Sequence, residues 1–354
     1  MTGTNVIREA LQKEGKNMIH LQAPRRFTVL VLAAIEVIAL TVTGCQPQKQ
    51  AGPPEKVTIA YSTASNAMLM YIAFAKNYFA QEGLEATPQP HAFGKPALQA
   101  VIEGQADIAT AGDTPIVFAV MDGKKITTLA MIQTANKNEA IVARRDHGIT
   151  KPSDLKGKKI GLTLGTTGDF FADSFLLAHG IDRKHIKIID LKPDEMAAAL
   201  AAEKVDAVST WNPTLIQLKK KLGSKGIIFF GESFYTEIFC VVSGQEYVKK
   251  NPTAIKKVLR ALLKAEIFVQ QYPEESRRLV SEFIKTDKVI LDETWDIFTF
   301  RVTLDQALLV DFEDQSRWAI KHRLASRRDM PNYLDFIYVD GLQAVKPAAV
   351  RIVR

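Results

Sequence analysis

The chain has 354 residues, a net charge of +7, 47% hydrophobic residues and 24% charged residues. These proportions are typical of a soluble globular protein, and the length allows one or two hydrophobic cores. Because the basic residues occur only in short, scattered clusters, the positive charge does not predict binding to nucleic acid.

The first feature in chain order is an export signal that ends at Cys45. Arg25 and Arg26 precede the apolar run 27–42, and two small residues, at 43 and 44, come directly before the cysteine. A positive flank, an apolar stretch and small residues before the cleavage point form the layout of a secretory signal. We therefore predict a lipoprotein signal peptide over 1–44 and lipidation of Cys45.

A transmembrane or buried helix is the alternative for this run. A membrane span needs about 20 apolar residues, whereas this run is shorter and contains Glu36. Residues 1–17 have no export character, and Met18 is a second candidate start, so the first 17 residues need not be translated.

A tether is predicted over 45–55, because the sequence Q-P-Q-K-Q-A-G-P-P-E is polar and rich in proline. From Lys56 onward, short strand patterns alternate with helices. The predicted strands are 57–61, 86–92, 107–111, 159–162, 186–190, 207–210 and 226–230. Helices begin at the intervening polar, glycine-containing or proline-containing turns. Strand, turn and helix repeated at this interval indicate parallel sheets with helices on both faces.

The chain beyond Val242 is predicted to be mostly helical, with helices over 252–271, 274–284, 292–310 and 312–322. Two α/β lobes account for this order of elements. We predict a first lobe of residues 56–141 and 242–354, which includes the helical tail, and a second lobe of residues 142–241.

Four motifs carry a resemblance to a known family. They are A-F-A-K-N-Y-F-A-Q-E-G-L, A-V-I-E-G-Q-A-D-I-A, P-S-D-L-K-G-K-K-I-G-L and A-A-E-K-V-D-A-V-S-T-W-N-P. In this order and spacing, over about 56–275, they resemble the periplasmic solute-binding proteins for nitrate, sulfonates, taurine and thiamine-type pyrimidines. The resemblance implies the two-lobe periplasmic binding protein fold of type II, with a helical C-terminal extension. It also implies capture of one small ligand and delivery to the permease and ATPase of an ABC importer, without catalysis or a cofactor.

The ligand site is expected at the carboxyl ends of the strands, where open α/β sheets bind ligands. The candidate ligand-binding residues at these ends are Ser62, Thr63, Asn66, Phe93, Lys95, Asp113, Thr114, Thr166, Thr167, Gly168, Asp169, Trp211, Asn212 and Tyr235.

Two interpretations of the turn at Gly168 are possible. The free N–H groups of a helix that begins there could hold an oxyanion, or Thr167 could simply cap that helix. Asp113 and Asp169 oppose an anion unless Lys95 compensates them, and they could instead pair with a ligand amine or act as caps.

The aromatic candidates also have two possible roles, in the ligand site or in the hydrophobic core. Trp211 could stack on a flat ligand or pack in the core, and the same holds for Phe93 and Tyr235. We expect a small polar organic ligand rather than a bare ion.

Other chemistries are not indicated by the sequence. The histidines at 91, 147, 179, 185 and 322 lack the spacing of metal ligands, and G-T-T-G lacks the lysine of a phosphate loop. Cys240 lies in an apolar run and is expected to be a buried, unpaired thiol. No disulfide, metal or nucleotide site is therefore predicted.

The leading hypothesis is a monomeric, lipid-anchored binding protein on the extracytoplasmic face of a membrane, with an ABC importer as its partner. A sensory lipoprotein and an enzyme on the same fold are the alternatives. The export signal argues against the enzymes of this fold, which are cytoplasmic, and the cysteine-rich motif of the pyrimidine synthases is absent. Gln46 after the cysteine favours the outer membrane, and the tail 286–354 has no assigned ligand contact.

Overall fold

The computed structural model describes residues 53–353 except 65, 286 and 287. The predicted signal peptide, Cys45 and most of the tether lie outside the described residues. None of the described helices is both long enough and apolar enough to cross a membrane.

The strands of the described chain form two sheets. In chain order they are β1 (Glu55–Ser62), β2 (Leu84–His91), β3 (Ile108–Gly112), β4 (Ile126–Ala135), β5 (Glu139–Arg144), β6 (Lys159–Leu162), β7 (Lys187–Asp190), β8 (Ala207–Trp211), β9 (Gly226–Phe230), β10 (Glu237–Gly244), β11 (Phe298–Asp305) and β12 (Val350–Arg351).

The α-helices of the described residues lie between these strands and in the C-terminal part. They are α1 (Met68–Ala75), α2 (Tyr78–Gln81), α3 (Gly94–Ile102), α4 (Asp113–Met121), α5 (Thr167–Ala178), α6 (Met196–Ala201), α7 (Thr214–Leu222), α8 (Gln245–Lys250), α9 (Pro252–Gln271), α10 (Pro273–Ile284), α11 (Lys288–Thr294), α12 (Gln306–Lys321) and α13 (Val339–Val345).

The two sheets have related strand orders. The first sheet runs β12-β11-β4-β10-β3-β1-β2, and the second runs β7-β6-β8-β5-β9. In each, three parallel strands are followed by a strand that arrives from the other sheet and pairs antiparallel with its neighbours. The predicted parallel sheets are therefore mixed, because β10 and β5 enter in the opposite direction.

The chain crosses between the sheets twice. It leaves the first sheet after β4 and enters the second at β5, and it returns between β9 and β10. The predicted fold class, a two-lobe α/β architecture with a helical C-terminal extension, is confirmed. The exact division of residues between the lobes stays a prediction.

The second sheet is buried on both faces. Ala140 and Val142 of β5 belong to one hydrophobic cluster, and Ile141 and Ala143 belong to another. Successive residues of a strand point to opposite faces, so helices must cover both sides of this sheet. A larger core surrounds the first sheet, where α9 packs beside α1 and α13.

The predicted helix over 292–310 is wrong. That stretch contains the end of α11, a short helical turn, and β11, which pairs antiparallel with β4 in the first sheet. The sequence F-T-F-R-V-T-L-D alternates apolar and polar residues and is rich in β-branched and aromatic side chains, which is typical of a strand. The helix predicted from Phe312 instead begins at Gln306.

Candidate functional site

A narrow cleft separates the two lobes at the ends of their central strands. It is lined by Asn66, Phe93, Gly94, Lys95, Gly112, Pro115, Glu237 and Phe239 of the first lobe and by Thr166, Thr167 and Trp211 of the second. The cavity volume is ≈ 20 Å³, which is about the room that one water molecule needs. The two lobes are therefore closed on each other in this structure.

Direct contacts across the cleft account for this closure. The rings of Phe93 and Trp211 have centroids 6.0 Å apart, and Lys95 Nζ donates a hydrogen bond of 2.8 Å to the carbonyl oxygen of Leu164. A Cβ atom at Gly112 would lie only 2.8 Å from Thr167 Cγ2. Six of the predicted site residues, namely Asn66, Phe93, Lys95, Thr166, Thr167 and Trp211, line this cavity.

The floor of the cleft is acidic. Asp113 at the start of α4, Glu139 at the start of β5 and Glu237 at the start of β10 are each at most 2% exposed. Glu139 and Glu237 follow directly after the two chain crossings. These three carboxyl groups, which we call the buried acid cluster, therefore lie where the lobes meet.

The cluster is held by amide and backbone donors. Asn66 Nδ2 donates to Glu237 Oε1 at 3.1 Å, and Asn138 Nδ2 donates to Glu237 Oε2 at 2.9 Å. The backbone N–H of Ile238 donates to Asp113 Oδ2 at 2.9 Å. Asn138 lies in the first chain crossing, so its hydrogen bond connects that crossing to the residue that directly follows the second crossing.

Burial makes these acids hard to ionise. It raises the pKa of Asp113 to about 6 and, with the nearby Asp113 charge, raises the pKa of Glu237 to about 7. Burial and the adjacent Glu237 raise the pKa of Glu139 well above its usual value, and Glu139 shares a hydrogen bond with Glu237. Near neutral pH, the cluster therefore holds at least one proton between carboxyl groups.

The C-terminal tail also reaches this region, which sequence reasoning did not predict. Gln315 of α12 contacts Asp113 and donates to Asp311 Oδ2 at 2.9 Å. The pKa of Asp311 is raised by burial and by Asp113. Trp318, one turn further along α12, donates to Asp173 of the second lobe.

Several predicted residues have structural partners. Ser62 Oγ donates to Asn66 Oδ1, and Thr63 Oγ1 donates to the carbonyl oxygen of His91. Thr114 donates its backbone N–H and its hydroxyl to Asp113 Oδ1. Their contacts order the strand ends that frame the cleft.

The turn before α5 differs from both sequence interpretations, which were an oxyanion site and a helix cap formed by Thr167. Thr166 is the residue that precedes the helix, and its hydroxyl donates to the carbonyl oxygen of Thr163. Thr167 is the first helical residue, and its hydroxyl is hydrogen-bonded to Glu139. The start of α5 thus faces a carboxyl group.

The remaining second-lobe candidates have separate roles. Asp169 accepts from the backbone N–H of Gly165 at 2.9 Å and lies 3.0 Å from Arg183 Nη1. Gly168 leaves room for the indole of Trp211, whose ring would lie 3.2 Å from a Cβ atom. The side chains of Asn212 and Tyr235 are buried, and each has a polar atom without a hydrogen-bond partner among the described residues.

Sequence reasoning missed Glu139 and Glu237, although a signal was present. Each is a glutamate at the edge of an otherwise apolar strand, in E-A-I-V-A and E-I-F-C-V-V. A carboxyl group in such a run is costly to bury unless it has a specific role. No group of three or more His, Cys, Asp and Glu residues that could hold a metal ion occurs in the described chain.

Comparison with known proteins agrees with this architecture. A family model described as NMT1/THI5 like matches residues 64–276. A protein of Bacillus subtilis (strain 168), provisionally named an aliphatic sulfonates-binding protein, is 25% identical over 268 residues, which are 74% of this chain and 80% of that protein.

Solved structures share the fold. The alkanesulfonate-binding protein SsuA from Xanthomonas axonopodis pv. citri, bound to MOPS, is 20% identical and superposes with a TM-score of 0.71 over 81% of this chain and 99% of that chain. The desulfurization enzyme DSZB is 13% identical, with a TM-score of 0.60 over 83% of this chain and 99% of that chain. The fold alone therefore accommodates both binding proteins and an enzyme.

Proposed function

The chain belongs to the NMT1/THI5-like family, and from that premise we propose that it is an extracytoplasmic solute-binding protein for an ABC importer. It captures one small polar organic ligand, of the sulfonate, taurine, nitrate or pyrimidine type, between its two lobes. The contact between Phe93 and Trp211 across the cleft carries this proposal, because a ligand that enters must part these rings and can then be held between them.

Lobe closure is the mechanism of capture. The lobes are joined by two short chain crossings, of residues 136–138 and 231–236, which can act as hinges. A ligand that contacts both lobes favours the closed state by its additional contacts there. The closed shape then differs from the open shape, and the importer can recognise that difference.

We infer that the ligand is released unchanged. The relative reported above that is matched by sequence is named for binding, and this supports a carrier rather than a catalyst. The test is incubation of the bound ligand with purified protein, followed by mass spectrometry of the released compound. Recovery of the intact compound is expected, and stoichiometric or catalytic conversion would contradict it.

The membrane anchor is part of the same proposal. Lipidation of Cys45 would hold the binding domain near its importer through the tether, which raises its local concentration there. Replacement of Cys45 by serine is expected to abolish incorporation of a labelled fatty acid into the protein, because the thiol that would carry the lipid is lost. Continued incorporation in that variant would contradict lipidation at this residue.

The binding function itself is tested by a ligand screen with thermal shift and calorimetry. Sulfonates, nitrate, pyrimidines and amino-acid-like compounds form the panel, and circular dichroism confirms that the protein is folded. Saturable binding of one ligand per chain is expected. Failure of folded protein to bind any member would contradict the proposal.

A further inference from the structure

Buried hydrogen-bond acceptors outnumber donors at the floor of the cleft. In this region, the atoms that can only accept and have no hydrogen-bond partner among the described residues are Asn138 Oδ1, Glu139 Oε2, Asn212 Oδ1 and Gln315 Oε1, whereas the hydroxyls of Thr210 and Tyr235 are unpartnered groups that can also donate. Each of the four acceptor residues is at most 2% exposed. A buried acceptor without a donor is energetically costly, so such a concentration of acceptors favours a partner that is rich in hydrogen-bond donors.

Three of these residues belong to the buried acid cluster or contact it, and none of the four lines the cavity in this closed form. Asn138 lies within hydrogen-bonding distance of both glutamates of the cluster, and its amide nitrogen faces them. Asn212 follows Trp211, which pairs with Glu139 across the β5–β8 ladder. Gln315 contacts Asp113 from the tail.

The protein's own cations are engaged elsewhere. Within the described residues, no lysine or arginine forms an ion pair with the buried acid cluster. Lys95 donates to the carbonyl oxygen of Leu164 at the mouth of the cleft, and Arg183 lies within 3.0 Å of Asp169 and Asp173. The negative charge of the cluster is therefore balanced by protons or by a group from outside the chain.

We propose that the ligand carries a protonated nitrogen, as an ammonium or amidinium group, which enters beside Glu237 as the lobes part and donates hydrogen bonds to the carboxyl oxygens of the buried acid cluster. This inference rests on the proposed binding function and narrows its ligand to organic cations and zwitterions. Glu237 is the member of the cluster that lines the cavity, and so it is the first carboxylate that an entering group meets.

An oxyanion does not satisfy the same environment. It brings acceptors where donors are lacking, and it meets carboxyl groups that repel its charge. Phe93 and Trp211 at the cavity wall favour a cation, because aromatic faces attract positive charge. Lys95 at the mouth can hold an acidic group at the far end of a zwitterion, so a ligand with both charges fits.

The test is calorimetric titration of the mature chain with matched pairs that differ in one group. The pairs are taurine with isethionate, ethanolamine with ethylene glycol, and benzamidine with benzamide, and nitrate is included as a simple anion. Each pair is titrated into the wild-type protein and the variants Glu237→Gln, Glu139→Gln and Glu232→Gln. Glu232 is a matched control because it lies in the crossing that precedes Glu237 but is exposed and pairs with Lys137.

The expected result is tighter binding of the nitrogen member of at least one pair by about tenfold or more. That preference should fall by about 10- to 100-fold in Glu237→Gln and Glu139→Gln, because a buried charge pair is lost, and should persist in Glu232→Gln. If one glutamate variant fails to fold, the other supplies the same comparison.

Two outcomes would overturn the inference, and they differ in whether the proposed binding function is also contradicted. Binding of sulfonates or nitrate with no preference for the nitrogen members would remove the cation requirement and leave the binding function intact. Absence of binding by every compound in the folded protein would contradict the binding function and the cation requirement together.

Discussion

The indole N–H of Trp318 donates a hydrogen bond of 2.5 Å to Asp173 Oδ2, and this bond joins helix α12 of the C-terminal tail to helix α5 of the second lobe. The same indole lies edge-to-face against Phe170, with ring centroids 5.2 Å apart. Because α12 also packs on α4 of the first lobe, the tail contacts both lobes and stabilises the closed state.

Replacing Trp318 by phenylalanine should therefore favour the open state. The change removes a hydrogen bond to a carboxylate, which contributes about 1.5–3 kcal/mol, while most of the ring packing is kept. We expect ligand affinity to fall by about tenfold and the radius of gyration to rise in small-angle scattering. The control is Tyr333→Phe, which removes the Tyr333 hydroxyl that pairs with Ser316 inside the tail. An equal effect of both changes would contradict a role for the Trp318 hydrogen bond in holding the lobes closed.

Replacing Gly112 by alanine should hinder closure without disturbing either lobe. The added methyl would lie 2.8 Å from Thr167 Cγ2 across the cleft, and such overpacking costs about 1–3 kcal/mol. Separation of the lobes relieves the clash, so we expect weaker ligand binding with little change in the free energy of unfolding. Gly244→Ala is the matched control, since its backbone has φ −71° and no atom lies within 4 Å of a Cβ there. A large loss of stability in Gly112→Ala would show that the contact is not relieved by opening.

Replacing Arg183 by methionine should destabilise the second lobe. Arg183 Nη1 lies 3.0 Å from Asp169 and 2.8 Å from Asp173, and both carboxylates are buried. Removing one partner of a buried ion pair costs about 3–5 kcal/mol, measurable as the midpoint of urea unfolding. The adjacent Lys184→Met removes an exposed pair with Asp182 and should cost at most about 1 kcal/mol. Similar costs for the two changes would contradict the buried network.

The stability of the ligand-free protein should fall as the pH rises from about 4 to 7. The pKa of Glu237 is raised by burial to about 7 and that of Asp113 to about 6, so the folded state binds protons more tightly than the unfolded state. The stabilisation is fully present below the unfolded pKa and is lost as the pH passes the folded pKa. For Glu237 this amounts to roughly 3 kcal/mol.

Chemical unfolding at a series of pH values tests this dependence. The titratable groups of the cluster are Asp113, Glu139 and Glu237, and those that face it are Asp311, Tyr235 and Cys240. We expect Glu237→Gln to flatten the slope between pH 4.5 and 7. An unchanged slope in that variant would mean that Glu237 ionises normally in the folded protein.

Local sequence signals predicted the elements with strong patterns. The helix over 252–271 has the predicted bounds, because proline opens it and apolar residues recur every three to four positions. The strand β11 was mistaken for helix, because Trp295, Phe298 and Val302 recur at intervals of three and four residues, which is helical spacing. Whether such a run is a strand is decided by its pairing with β4, and the sequence does not contain that partner's position.

Six of the predicted site residues line the cleft, but the acid cluster was not predictable as a unit. Asp113, Glu139 and Glu237 are separated by 26 to 124 positions and meet only because the chain crosses between the sheets twice. The tail residue Gln315 reaches the cluster through the packing of α12 on α4. Such convergence depends on tertiary topology rather than on any local motif.

The distance between the two lobes decides whether a small molecule is captured by their closure. Spin labels at Glu103→Cys and Lys225→Cys, which are exposed positions on opposite lobes, report that distance by pulsed electron resonance in a Cys45→Ser background, while buried Cys240 stays unlabelled. We expect a broad distribution without ligand and a narrower, shorter one with the ligand that the screen identifies. An identical distribution with and without saturating ligand would contradict capture by lobe closure.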